Sequence, residues 1–479
     1  MTFNSLTFGI FFAIVYALYL CLRAHHRMQN LLLLLASYTF YASWDPRFLT
    51  LLILSTLFAY VCALLIDGAK TPRQRKYFLY LSVIVNLSVL GFFKYFNFFA
   101  GNVDTLLRVL GIRAESLYLD IVLPLGISFY TFQKMSYTID VFRKEIKPTR
   151  NLLDFALFAS FFPQLVAGPI ERAKNLLPQV LQPRQLTLEK FYEGCFLIFW
   201  GIFQKAFVAD NLAMIVNYVY AGSAPFNGLD IYIATFAFTF QIYCDFAGYS
   251  NIARGLAKVL GFELMLNFNL PFFASNIQDY WNRWHISLST WLRDYLYIPL
   301  FRWLRNVRGN LRIFIALMVT MTLIGLWHGA AWRFVAFGMY YGMLLSIYVV
   351  IRLKCANWVK PQSRLGQQAW LWARIVFVFH LVMIGMLIFR APRLPIALQM
   401  LEAVIFNFHI SGDVIYMVPK IIYFTWVLIA AEALQYYKQD LMCIYKSNVA
   451  FKTAFYLICY FLLTLQGVAN QHEFIYFQF

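Results

Sequence analysis

Apolar residues run through this chain in long uncharged blocks, separated by short clusters of Lys and Arg. A helix that crosses the hydrocarbon core of a bilayer needs about 20 apolar residues, within a range of about 17–25. The runs 1–22, 28–44, 48–66, 77–93, 313–332, 334–351 and 453–471 reach that length, and several shorter apolar runs lie between them. The pattern predicts an all-α polytopic membrane protein.

The loop charges orient these segments. Arg23 and Arg27 follow the first run, with His25 and His26 between them. Lys70, Arg73, Arg75 and Lys76 follow the third, and Arg143, Lys144, Lys147 and Arg150 follow a further segment near 120–142. The loops near Asp45 and 97–118 are poorer in cations. Cytoplasmic loops carry the excess of Lys and Arg, which places the N-terminus outside and these clusters inside. Arg302, Arg305, Arg308 and Arg312 form another cytoplasmic loop, and Arg352, Lys354, Lys360 and Arg364 a further one. Lys438, Lys446 and Lys452 precede the last run, so the C-terminus lies outside. The stretch 390–420 must then enter and leave the same face.

The region 124–300 breaks the pattern. Pro, Gly and polar residues fall at membrane depth around 163–169, 245–250 and 267–271. Irregular backbone survives there only where protein buries it or where it lines a wet cavity. The region reads as re-entrant segments around a central site. No linker and no convincing repeat divides the chain, so 1–479 is expected to be one transmembrane domain.

Composition narrows the class. Hydrophobic residues make up 61% of the chain and charged residues 13%, against about 25% charged in soluble domains. The mean hydropathy is +0.63. Aromatics reach 19%, in keeping with interfacial belts. The formal charge of +18 is not a nucleic-acid footprint, because the cations are spread over short loops and do not gather on one soluble face. The first apolar run has no Lys or Arg ahead of it and no small-residue cleavage signature after it, so it is expected to stay in the protein. The seven Cys are scattered without CxxC or metal-ligand spacing, so neither a disulfide framework nor a metal site is expected.

Three titratable residues stand out. His328, in Leu326-Trp327-His328-Gly329, lies about 24 Å along a helix from Arg312 at 1.5 Å per residue. An ionisable side chain so deep in an apolar run is costly and marks function by default, although a packed histidine bonded to a neighbouring helix fits the same pattern. His285 sits in a segment of Trp, Arg, Asp and hydroxyl residues from Asp279 to Asp294. Pattern alone reads that segment as an amphipathic interfacial helix. Asp245 is flanked by apolar sequence and needs a partner such as Arg254, Lys258 or a histidine; a structural ion pair and a catalytic role both fit. His380 and His409 read as packed histidines. The chain has no Walker loop, dinucleotide fingerprint, Gly-x-Ser-x-Gly elbow or His-Glu-x-x-His helix, which disfavours NTP-driven transport and conventional serine or zinc hydrolysis.

Taken together, Ser37-Tyr38-Thr39-Phe40-Tyr41-Ala42, Pro163-Gln164-Leu165-Val166-Ala167-Gly168-Pro169-Ile170, the segment 245–255, the segment 280–294 and Leu326–Gly329, in this order, resemble the membrane-bound O-acyltransferase family over the full chain. The resemblance implies a ring of transmembrane and re-entrant helices around a funnel, with His285 and His328 near its floor. It implies a thioester acyl donor such as acetyl-CoA reached from the cytoplasm, no tightly bound cofactor, and an acceptor outside. His328 becomes the expected general base, since an unperturbed imidazole titrates near about 6.5. His285 is expected to position the donor or to stabilise developing charge. Asp245, Asn282, Trp284 and Trp327, from the same segments, are assigned to substrate binding.

The expected reaction is O-acylation, by acetyl, of an extracytoplasmic polysaccharide such as alginate, from the bacterial inner membrane. The outer loops are too short to hold a glycan-binding domain, so an extracytoplasmic acyltransferase partner is expected, alongside membrane lipids. A lipid- or protein-directed acyltransferase of the same family and a non-enzymatic transporter or flippase are the alternatives. Residues 471–479 read Gln-His-Glu-Phe-Ile-Tyr-Phe-Gln-Phe. Composition favours an aromatic belt there. The ending also resembles a Tyr-bearing C-terminal motif of this family, which implies that Tyr476 is a covalent acyl relay, third in the catalytic set with His328 and His285.

Overall fold

The computed structural model describes residues 1–3, 5–112, 118–354, 363–467 and 474–475; these form helices and connecting turns, with no strand among them. The chain divides into two compact units, Met1–Ile198 with Tyr249–Met265, and Phe199–Gly248 with Leu266–Phe479.

The first unit opens with helices whose starts follow from local sequence. Ser5 accepts a hydrogen bond from the Phe8 N–H and caps α1 (Leu6–Cys21). The 16 and 17 residues of α1 and α2 (His26–Ala42) stand at or just under the lower edge of spanning length. Asp45 caps α3 (Pro46–Gly68), with Pro46 at a first-turn position where its missing N–H costs nothing. Thr71 and Gln74 form a reciprocal capping box at the start of α4 (Pro72–Leu90). A π-helical turn leads into α5 (Phe96–Val109), and α6 (Ile127–Arg143) packs against α3 and α4. α7 (Leu152–Ser160) packs on α2 and on α9 (Ala173–Leu181), while α8 (Phe162–Leu165) is a single turn between them. Of the irregular backbone predicted at 163–169, residues 163–165 belong to α8 and 166–169 are irregular, and every residue of the stretch is buried. Gly126, at φ +68, starts α6 where a Cβ would stand 2.7 Å from the Leu165 carbonyl oxygen.

α10 (Leu188–Ile202) runs through a π-helical segment, Phe203–Ala209, into α11 (Asp210–Tyr220). α12 (Gly228–Val259) is 32 residues long. This corrects the reading of 245–250 as irregular: Asp245 and Gly248 lie inside a continuous helix. Gly248 is there for close approach, since a Cβ would sit 2.7 Å from the Gly201 carbonyl oxygen.

In the second unit, α13 (Ile277–Arg283), α14 (Ile286–Leu292) and α15 (Ile298–Trp303) are short and precede a helical hairpin, α16 (Asn310–His328) and α17 (Trp332–Lys354). α18 (Arg364–Arg390), α19 (Leu394–Phe406), α20 (Gly412–Lys438) and α21 (Val449–Gln466) complete it. Among the described residues eight helices are long and apolar enough to cross a membrane. Five coincide with predicted runs; Leu188–Tyr220, Arg364–Arg390 and Gly412–Lys438 are additional. Charges inside them, Lys205 and Asp210, Arg374, and Lys420 and Glu432, interrupted the apolar pattern. At 13 residues, α19 is about 20 Å long and too short to span.

The α16–α17 hairpin carries His328, and glycines close it. A Cβ at Gly325 would overlap the Phe334 carbonyl oxygen, and one at Gly338 the Met321 carbonyl oxygen. Gly325 and Gly329, and Gly338 and Gly342, are each spaced by four, the small-residue spacing that lets membrane helices touch backbone to backbone. Gly338→Ala is therefore expected to force the helices apart and lower stability by about 1–3 kcal/mol. Gly101→Ala, inside α5 and meeting open space, is expected to leave stability unchanged or raise it by up to about 1 kcal/mol. Thermal unfolding of both variants in detergent checks the contrast.

Candidate functional site

Trp284 and His285 join α13 to α14, and the His285 backbone lies in the left-handed region at φ 43, ψ 54. Such a conformation in a non-glycine residue costs about 1–3 kcal/mol and persists only where the surroundings enforce it. Here they do. The Trp284 N–H donates to the Tyr280 carbonyl at 2.8 Å, the Ser289 N–H to the His285 carbonyl at 2.9 Å, and the Ile286 N–H to the Asn267 carbonyl at 2.9 Å. The imidazole is thereby turned inward, and His285 is 1% exposed.

Asn267, fully buried, organises this turn. Its side-chain oxygen accepts from the Ser287 N–H at 3.3 Å and from the Ser287 hydroxyl at 2.9 Å, and lies 3.2 Å from His285 Nδ1. A backbone N–H can only donate, so the Asn267 atom it meets is the oxygen, and Nδ1 must carry the proton in their contact. In the neutral ring Nε2 then holds the lone pair. Sequence reasoning noticed the polar stretch 267–271 but did not assign Asn267 to the site; nothing in the spacing of residues 267 and 285 announces the contact.

His328 is the last residue of α16 and is 4% exposed. Trp327 connects the two histidines. Its ring lies 5.6 Å from that of His285 and 5.1 Å from that of His328. Phe337 and Phe389 pack edge-on against His328 at 5.7 and 5.3 Å, and Phe246 packs edge-on against His285 at 4.7 Å. The result is a row of imidazole, indole and imidazole inside an aromatic shell. Residues 43 apart in sequence meet here, and the reading of 279–294 as an interfacial helix gives way to two short helices that bury His285. Trp284 is buried and stacks near Tyr280, Phe268 and Tyr243. Asn282, by contrast, is exposed on α13, outside the buried cluster.

Asp245 has a partner other than those expected. Its Oδ1 lies 2.6 Å from Lys205 Nζ, which also lies 2.8 Å from Asp210 Oδ1. Lys258 instead pairs with Glu193 and Glu263, and Arg254 bonds Asn251. Lys205 belongs to the π-helical segment Phe203–Ala209; such bulges recur at functional sites. A second buried polar pair, the Tyr243 hydroxyl donating to Glu432 at 2.6 Å, stands behind Trp284. Sequence reasoning missed Lys205, Asp210 and Glu432, because each is a lone charge in an apolar helix until the helices are packed. Tyr476 lies outside the described residues. Among the described residues no three His, Cys, Asp or Glu side chains gather as a metal site would need.

Comparison with known proteins places this geometry. Residues 38–389 match the model of the MBOAT, membrane-bound O-acyltransferase family. A protein of Azotobacter vinelandii named probable alginate O-acetylase AlgI is 42% identical over 84% of this chain and 78% of its own length. The protein of the same name in Pseudomonas aeruginosa is 42% identical over 84% of this chain and 74% of its own. A peptidoglycan O-acetyltransferase of Helicobacter pylori is 33% identical over 78% of this chain and 73% of its own.

The role of Asn267 is open to test by stability. Asn267→Leu strands the Ser287 N–H, the Ser287 hydroxyl and His285 Nδ1, at about 1–3 kcal/mol for a buried donor left unmade. A clear fall in the unfolding temperature is expected, while Asn282→Ala on the exposed face should stay within about 0.5 kcal/mol of the parent. Thermal unfolding of the purified protein measures both.

Proposed function

We propose that this chain, which belongs to the membrane-bound O-acyltransferase family, takes an acetyl group from a cytoplasmic thioester, acetyl-CoA, and passes it across the bacterial inner membrane for O-acetylation of an extracytoplasmic polysaccharide such as alginate. The chain is a multipass membrane protein and an O-acyltransferase. The observation that carries the reading is the buried row of His285, Trp327 and His328. It puts two imidazoles inside an aromatic shell that keeps water from a reactive ester. The relatives named for alginate and peptidoglycan O-acetylation support a cell-envelope glycan as the final acceptor.

Acyl transfer from a thioester to a hydroxyl needs a base for the hydroxyl proton and a donor for the oxyanion. His328 is the base in this reading. It takes the proton as the oxygen attacks the thioester carbonyl, the new C–O bond forms, the C–S bond breaks, and His328 returns the proton to the departing thiolate. His285, protonated on Nδ1 towards Asn267, offers its Nε2 lone pair. It therefore holds the acyl carrier by accepting a hydrogen bond from an N–H beside the thioester, and stabilises negative charge only after gaining a proton.

The first acceptor is the Tyr476 phenol. Unperturbed phenols titrate near about 10 and attack poorly at neutral pH without a base, which is the task of His328. The aryl ester is a more reactive donor than a sugar ester, so onward transfer to a hydroxyl of an extracytoplasmic partner, and from there to the polymer, runs downhill. Docking of residues 474–475 beside Phe246, which packs on His285, supports this order.

His328→Ala is expected to lower polymer ester content by at least about 100-fold, the usual scale of a lost general base, in cells where the variant accumulates normally. Near-normal acetylation would reject the assignment. Tyr476→Phe keeps the ring and removes the oxygen. It should abolish transfer, and the wild-type protein incubated with donor alone should gain one acetyl mass on its C-terminal peptide. Full activity of the Phe variant would return Tyr476 to the aromatic belt.

A further inference from the structure

The Lys205 cluster touches the end of the chain. Its side chains are 10% exposed for Lys205 and 3% for Asp210 and Asp245, with both carboxylates on the one ammonium. The oxygen of Asp245 turned from Lys205, Oδ2, accepts the backbone N–H of Ile475 at 2.8 Å. Phe474 and Ile475 are 4% and 7% exposed. The Phe474 ring lies 5.6 Å from that of Phe246, which is the ring on His285. The same span holds the other end of the tail: Asn211, next to Asp210, donates through Nδ2 to the Gln466 carbonyl at 3.0 Å.

We propose that Lys205, Asp210 and Asp245 are a dock for the C-terminal segment, in which Asp245, oriented by Lys205, grips the Ile475 N–H and seats Phe474 against Phe246. A hydrogen bond to an ionised carboxylate is about twice as strong as a neutral one, and the seat of the Phe474 ring against Phe246 selects which backbone N–H meets it. A slip of one residue would bring another backbone N–H to Asp245 but would unseat Phe474 from Phe246. Lys205 and Asp210 set the carboxylate. Asp245 is thus a positioning residue acting through the tail. The use of the dock rests on the reading of Tyr476 as acyl carrier, because Tyr476 is the next residue after Ile475. The dock itself rests on the contacts above.

The test uses full-length protein in membranes with Ile475→Cys, which keeps the backbone N–H, and follows labelling by a maleimide against the same protein without the added cysteine. With the dock intact labelling is slow. Asp245→Asn keeps the side-chain shape and guards against a misfolded Asp245→Ala. Both are expected to label faster, Asp245→Ala by about tenfold or more as the charged hydrogen bond is lost, and to lower turnover while the KM for the thioester holds. His328→Ala should lose transfer and still label slowly, which separates lost chemistry from a lost dock. Unchanged labelling in both Asp245 variants overturns the dock. Faster labelling with wild-type transfer leaves the dock standing and overturns the Tyr476 reading instead.

Discussion

Polar atoms withdrawn from water must find partners inside the protein, and much of the architecture of this chain follows from that requirement. A backbone group without a partner in hydrocarbon costs several kcal/mol, so the spans are helices. Where the backbone leaves the helix, at 166–169 and 267–270, it is largely buried and bonded by neighbours. The same rule governs side chains. Lys205 is tolerable in the interior only because Asp210 and Asp245 reach it, and removing one member of such a group costs about 3–5 kcal/mol. Asn267 closes the account at the α13–α14 turn by taking donors from both Ser287 and His285.

Glycines let these polar groups meet. The α16–α17 hairpin brings its backbones together at Gly325 and Gly338, and α12 rests on Gly201 through Gly248. In a membrane, where lipid is as apolar as leucine, close packing supplies much of the association that the hydrophobic effect supplies in water. His328 at the end of α16 and Asp245 on α12 are therefore each carried by a helix seated through glycine contacts. The left-handed backbone at His285 adds the complementary device, a strained residue held by three backbone hydrogen bonds.

An aromatic shell suits an acyltransferase of this family. Rings packed edge-on against the two imidazoles bring their positive edges or π-faces to the site without adding titratable groups. Base strength and ring orientation then rest on a few polar contacts, of which Asn267 to His285 is the clearest.

Sequence by itself determined the class of this protein. Seven apolar runs and the charge clusters between them defined a polytopic helical membrane chain, because bilayer thickness and the distribution of Lys and Arg are local, one-dimensional constraints. The motif segments marked His285 and His328 and the family. Three spans escaped notice because Lys205, Arg374, Lys420 and Glu432 interrupt their apolar pattern, and a charge in a run reads as a break until its partner is known. Only the tertiary structure decided that 245–250 is helix, that Asp245 belongs to Lys205 and not to Arg254 or Lys258, that Asn267 orients His285, and that Trp327 stands between the two histidines. Each of these joins residues separated in the chain, and no periodicity or spacing encodes which buried donor will face which buried acceptor once the helices have packed.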